Sequence, residues 1–201
     1  NIDSVRIEGN DIMADHNGYG IYLNYCQPVI IRGNKIESFT GNSMYYGIHL
    51  NDSDGNSSGE RTLVANNMIK AYLRALYFEY TSYADIYYNT LINTYASAGT
   101  SYGTLYFNSG SYINIKNNII TNTSGGRLIS KTYTYPEMYF DYNMYYGGST
   151  SNGFYSNNNP SVNGSFSTWQ AAGLDSNGVF QDPEFYSFGD GFHLETGNDL
   201  A

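Results

Sequence analysis

One short phrase recurs along the chain: two apolar residues spaced by one, a polar break that closes on asparagine, and one more apolar residue. It reads "SVRIEGNDI" from residue 4, "PVIIRGNKI" from 28, "RTLVANNMI" from 61 and "EMYFDYNMY" from 137, with a further copy inside "SYINIKNNIITNTSGG" from 111. Aligned on the asparagine, the phrase picks out Asn10, Asn34, Asn67, Asn89, Asn118 and Asn143, at intervals of 22 to 33 residues. Five and three positions before each sit Val5/Ile7, Val29/Ile31, Thr62/Val64, Ala84/Ile86, Ile113/Ile115 and Met138/Phe140. Two positions after it sit Ile12, Ile36, Ile69, Leu91, Ile120 and Tyr145. Apolar residues two apart are strand-like.

A second strand lies between consecutive asparagines: "GIYLN" (20–24), "GIHLN" (47–51), "ALYFE" (75–79), "TLYFN" (104–108) and, more loosely, "RLISK" (127–131). Its inward residues are Ile21/Leu23, Ile48/Leu50, Leu76/Phe78 and Leu105/Phe107. Two strands per repeat with no helix between them predict a solenoid in which each strand pairs with its copy one rung away. The asparagine then has two reasons to recur. It tolerates the left-handed backbone of a corner, and stacked amides bond to one another up the coil.

Composition agrees with an all-β chain. Of 201 residues 13% are charged, while Gly (22) and Tyr (23) are abundant, which disfavours helices and suits strands and turns. A hydrophobic content of 41% is enough for one domain with a core and excludes disorder. Net charge is −9 with nine Lys and Arg, which argues against a nucleic-acid partner. Cys26 is the only cysteine, so no internal disulfide forms, and the compartment is left open. No apolar run is long enough for a membrane span. The chain begins on Asn without a leader and enters directly on a rung, so further rungs or another module are expected before it.

The repeat resembles the right-handed parallel β-helix of secreted, pectate-lyase-like, carbohydrate-active proteins over about residues 4–150. Residues 1–150 are expected to form the rungs, and 151–201 a C-terminal loop and cap of the same domain. "FSTWQAAGLDSNGVFQDPEFYSFGDGFHLETGNDLA" (166–201) resembles the end segment of that family, with a helix expected at Ser167–Ala172 capped by Ser167. The Tyr-, Asn- and Ser-rich style is also similar to the disaggregatase-associated β-helix domain of methanogenic archaea. The resemblance implies a secreted or cell-surface location and a polysaccharide partner, and it leaves homotrimers open. Such a coil hosts many activities, so fold alone names none.

The outward face of the second strand is the candidate binding surface. Tyr22, His49, Tyr77 and Tyr106 form one column, with Ile129 expected next, and Asn24, Asn51, Glu79 and Asn108 form another. Flat rings beside hydrogen-bonding groups suit a sugar chain, and stacking that only stabilises the sheet is the plainer reading. The first expectation is a glycoside hydrolase acting on an extracellular or cell-envelope heteropolysaccharide; hydrolysis needs two carboxyl groups, for which Glu79, Asp52, Asp54 and Asp85 are the candidates. A calcium-dependent polysaccharide lyase and a non-catalytic binding, adhesin or structural module remain as alternatives. No cofactor is required. Calcium is the possible ion, through Asp52, Asp54, Asn56 and Glu60 in "NDSDGNSSGE", which lacks EF-hand spacing and also reads as a polar excursion. His16, His49 and His193 are too scattered for a metal signature, and no nucleotide-binding loop or nucleophile elbow is present.

Overall fold

Each rung of the chain carries three short strands. In the computed structural model, which describes residues 2–15, 17–38, 44–56, 59–133, 137–157 and 160–184, the first rung is β1 (Ile2–Glu8), β2 (Asp11–Ala14) and β3 (Tyr19–Asn24). The second is β4 (Cys26–Arg32), β5 (Lys35–Ser38) and β6 (Tyr46–Asn51); the third β7 (Thr62–Ala65), β8 (Met68–Ala71) and β9 (Arg74–Glu79). The fourth is β10 (Ala84–Tyr87), β11 (Thr90–Asn93) and β12 (Leu105–Asn108); the fifth β13 (Ile113–Lys116), β14 (Ile119–Asn122) and β15 (Ile129–Lys131). The sixth is β16 (Met138–Asp141), β17 (Met144–Gly147) and β18 (Phe154–Ser156). Every first strand pairs in parallel with the next first strand (sheet A), and likewise the second (sheet B) and third (sheet C). The protein is a right-handed parallel β-helix.

The expectation of two strands per repeat is therefore corrected to three. The apolar residue after each asparagine is a single recurring position with no alternation of its own, so the sequence reads through a corner. Ile12, Ile36, Ile69, Leu91, Ile120 and Tyr145 instead form the inward column of sheet B. They close the core with Val29, Ile31, Val64, Ile86 and Ile115 of sheet A and Ile48, Leu50, Leu76, Phe78, Leu105 and Phe107 of sheet C, all fully buried.

The asparagine ladder forms as expected. Asn34 Nδ2 donates to Asn67 Oδ1 at 3.0 Å, Asn67 to Asn89 at 3.0 Å, Asn89 to Asn118 at 3.0 Å and Asn118 to Asn143 at 2.9 Å, with Asn10 joining Asn34 at 2.9 Å. The same oxygens accept the backbone N–H of the asparagine one rung earlier. Left-handed backbone, however, belongs to the preceding residue: Gly9, Gly33, Asn66, Tyr88, Asn117 and Tyr142 have φ between +54° and +68°. That bend aims the asparagine side chain along the column instead of out to solvent. The corner from sheet C to sheet A repeats the rule. Tyr25, Asp52 and Tyr80 are left-handed, and the residues after them, Cys26, Ser53 and Thr81, form a smaller ladder in which Ser53 N–H reaches Thr81 Oγ1 at 3.2 Å. Cys26 thus stands where the next two rungs carry a hydroxyl, and its Sγ–H turns back to Asn24 O.

After β18 the chain reverses into β19 (Val162–Gly164), antiparallel to it, and a short helix α1 (Phe166–Ala171). The helix cap is Ser165, whose side chain accepts from Thr168 N–H, two residues earlier than expected. Phe166 is drawn into the helix because its ring packs on Tyr145 and Phe154. Trp169 is buried against Phe140 and Phe154 at 5.1 and 5.4 Å. β20 (Val179–Phe180) then extends sheet B beyond β17. The "GDGFHL" strand of the expected cap lies outside the described residues.

Candidate functional site

Parallel register puts Tyr22, His49, Tyr77 and Tyr106 in one outward column of sheet C. Their rings follow one another at 5.0, 4.1 and 5.0 Å, with His49 stacked almost parallel to Tyr77. The next member is Ser130; the expected Ile129 pairs with Leu105 and faces the core, so that position is corrected. Beside this column runs a second that the sequence reading missed: Tyr19, Tyr46 and Arg74. Tyr19 and Tyr46 stack at 4.9 Å, and the Arg74 guanidinium lies 5.2, 4.6 and 4.2 Å from the rings of Tyr46, Tyr77 and Tyr106. The signal for it was present, since Tyr19 and Tyr46 each stand three residues before a column member.

Only the early part of this face is open. Tyr19 and Tyr22 are 43% and 46% exposed, whereas His49, Tyr77 and Tyr106 are 6%, 8% and 6% exposed. Arg74 lies over the buried rings and is held there by Ser101 O at 2.6 Å. Ser101 belongs to a strap, residues 94–103, tied to the same sheet where Ser130 Oγ donates to Thr100 O and Arg127 Nε donates to Ala98 O and Gly99 O. Tyr19, Tyr22 and the partly exposed Tyr46 are thus open to solvent, while Tyr77 and Tyr106 seat Arg74.

The polar column Asn24, Asn51, Glu79, Asn108 borders the rings. Glu79 Oε2 lies 3.1 Å from His49 Nε2, and its Oε1 accepts from Asn108 Nδ2 at 3.2 Å. Burial pushes the His49 imidazole below its ordinary value, and Glu79 opposes the shift while Arg74 adds to it. The lowered value favours the neutral ring. Its Nε2–H donates to the carboxylate, which leaves Nδ1 as an acceptor. Burial and then Glu79 raise the Tyr77 phenol. His49 Nδ1, Asn51 Oδ1 and Arg74 Nε are all buried without a hydrogen-bond partner among the described residues.

The carboxylates do not gather at one cleft. Asp52 occupies the left-handed corner after β6. Asp54 accepts the Ser82 backbone N–H, and burial raises its carboxyl. Asp85 faces outward from sheet A, bonded by Arg61 Nε at 2.8 Å and Asn114 Nδ2 at 2.7 Å. Asn56 and Glu60 close on each other, amide Nδ2 to Oε2 at 3.0 Å and N–H to O at 2.7 Å, instead of turning toward Asp54. Among the described residues no three His, Cys, Asp or Glu side chains come together as a metal site; His16 and His193 lie outside them.

A three-sheet parallel coil with a buried asparagine column and an aromatic outer face defines a β-helix protein. The chain belongs to the family described as periplasmic copper-binding protein (NosD), whose model matches residues 2–123, from the first rung through β14. No curated protein and no solved structure matches the chain. Among the described residues no helix is long and apolar enough to cross a membrane.

Proposed function

We propose that this chain is an extracytoplasmic, non-catalytic glycan-binding module. The observation that carries the reading is the open end of the sheet C face, where Tyr19, Tyr22 and Tyr46 present stacked rings beside the amides of Asn24 and Asn51. Sugar rings stack on such faces and their hydroxyls take the amides. The periplasmic description of the family supports the location. Glu79 supports binding over hydrolysis, because both of its oxygens are engaged by His49 and Asn108. Isothermal titration against neutral and uronate oligosaccharides tests the reading. Binding that weakens about tenfold, ~1.4 kcal/mol, in Tyr22→Ala is expected; no binding to any of them would overturn it.

One observation favours a glycoside hydrolase as the second reading: the raised Asp54 carboxyl has the property of a general acid. New reducing ends released by the chain and lost in Asp54→Asn would establish it.

Copper, part of the family's description, does not fit the donors among the described residues. The Nε2 of His49 is turned to Glu79 and its ring is stacked on Tyr77. Cys26 is buried in the Ser–Thr ladder on a different face. Met68 and Met144 share a column of sheet B but stand three rungs apart. A soft ion needs several such ligands at one point, and the described residues do not bring them together.

A further inference from the structure

Six tyrosines hold a backbone conformation that suits them poorly, and two of them, Tyr83 and Tyr112, stack face to face at 4.8 Å, which leaves four to explain. Tyr25, Tyr80, Tyr88 and Tyr142 have φ of +56°, +50°, +56° and +57°, the left-handed region where a bulky side chain is strained and Gly or Asn is at ease. Other rungs place residues of that easier kind at the same corners: Gly9, Gly33, Asn66 and Asn117 beside Tyr88 and Tyr142, and Asp52 between Tyr25 and Tyr80. The rings gain no burial in exchange, being 56%, 54%, 60% and 58% exposed. Strain without a structural return is a mark of function.

Their arrangement is regular. Tyr25, Asp52 and Tyr80 follow one another at the corner from sheet C to sheet A, each backbone N–H bonded to the next rung. Tyr88 and Asn117 do the same at the corner from sheet A to sheet B, with Tyr142 following them on the sixth rung. In both files the two rings stand two rungs apart, about 9.5 Å along the coil, with a short hydrogen-bonding side chain between them. That interval matches the disaccharide repeat of an extended β-linked polysaccharide, whose alternate sugars present the same face. Charges on the sheet A face between the two files nearly balance, with Arg61 on Asp85, Arg6 and Arg32 sharing Glu8, and Lys116 in register with Asp141, so the face has little net charge to select an anion.

We propose that the Tyr25–Asp52–Tyr80 and Tyr88–Asn117–Tyr142 corners are tracks for an uncharged, β-linked polysaccharide lying along the coil axis. The proposal rests on the glycan-binding reading but on different residues from the sheet C face. The test is titration of a β-1,4-linked hexasaccharide and its disaccharide, from the cello- and chito-series, against the whole chain and three paired variants, together with thermal melting. The variants are Tyr25→Asn with Tyr80→Asn, Tyr88→Asn with Tyr142→Asn, and Tyr19→Ala with Tyr22→Ala. The hexasaccharide is expected to bind more tightly than the disaccharide, and each corner pair to lose about tenfold in affinity while Tm rises by about 2–4 °C per substitution as strain is relieved. A fall in Tm in the corner pairs, or a rise with unchanged affinity, overturns the proposal. Loss confined to the Tyr19/Tyr22 pair overturns it and leaves the sheet C reading standing. No binding by the unaltered chain, to these or to any other glycan, overturns both.

Discussion

Asn143 passes its side-chain N–H to Asp175. Nδ2 donates to Oδ2 at 2.8 Å, where every earlier ladder asparagine meets the oxygen of another asparagine. The same carboxylate oxygen accepts the Tyr145 hydroxyl at 2.7 Å. A group that only accepts thus closes the end of a column that offers donors.

Asp175 gives a pH signature. Burial holds its carboxyl above the ordinary value, against the hydrogen bonds from Tyr145 and Asn143. The native state therefore binds a proton more readily than the unfolded chain, and the contribution of this group is complete at low pH and lost as pH rises through the native value. Compared with Asp175→Asn, which does not titrate, the unaltered protein is expected to gain relative stability as pH falls from 7 toward 4. Urea denaturation at each pH measures it.

Asn89 sits mid-ladder, accepting from Asn67 and donating to Val64 O and Asn118. Asn89→Ala orphans several buried groups at ~1–3 kcal/mol each and is expected to lower stability by about 3 kcal/mol or more. Asn10→Ala, at the exposed first rung, is expected to cost under about 1 kcal/mol. Paired denaturant curves compare the two.

Lys131 stands in the inward column after Phe78 and Phe107, fully buried, and burial lowers its ammonium to about 8. Below that pH the fold carries a desolvated charge. Lys131→Met is expected to stabilise the protein by ~1–3 kcal/mol at neutral pH, with the advantage shrinking as pH rises from about 8 toward 10.5, the ordinary lysine value. Melting curves across that range check both the sign and the window.

Arg74 links the aromatic columns to the strap through Ser101. Arg74→Met is expected to speed amide exchange across residues 94–103 while the ladder asparagines stay protected. Hydrogen exchange read by mass spectrometry resolves the two regions.

The ladder and the inward columns were legible because they repeat a residue type at a fixed offset. The third strand was not, since it is marked by one recurring apolar position, Ile36 and its equivalents, with no alternation of its own. Nor were the left-handed tyrosines: an aromatic residue reads as strand, and only the stacked corner reveals that Tyr88 does the work of Gly33. At the site, membership of the Tyr22–Tyr106 column could be read from spacing. Its accessibility could not, because that depends on where the polar stretch 94–103 folds back and on Arg74 lying across the rings. The separation of Glu79 from Asp85 follows from the corner between sheets C and A, which spacing alone does not disclose.

The asparagine column runs one way. From one asparagine to the next the amide bond always points the same way, Nδ2–H toward the C-terminal end and Oδ1 toward the N-terminal side, so among the described rungs the column has an oxygen pole, its head, at Asn10 and a donor pole, its tail, at Asn143 that Asp175 meets. Two heads brought together would set oxygen against oxygen. The coil is chemically directional, like a magnet with unlike poles, and whatever stacks on its first rung has to arrive tail first.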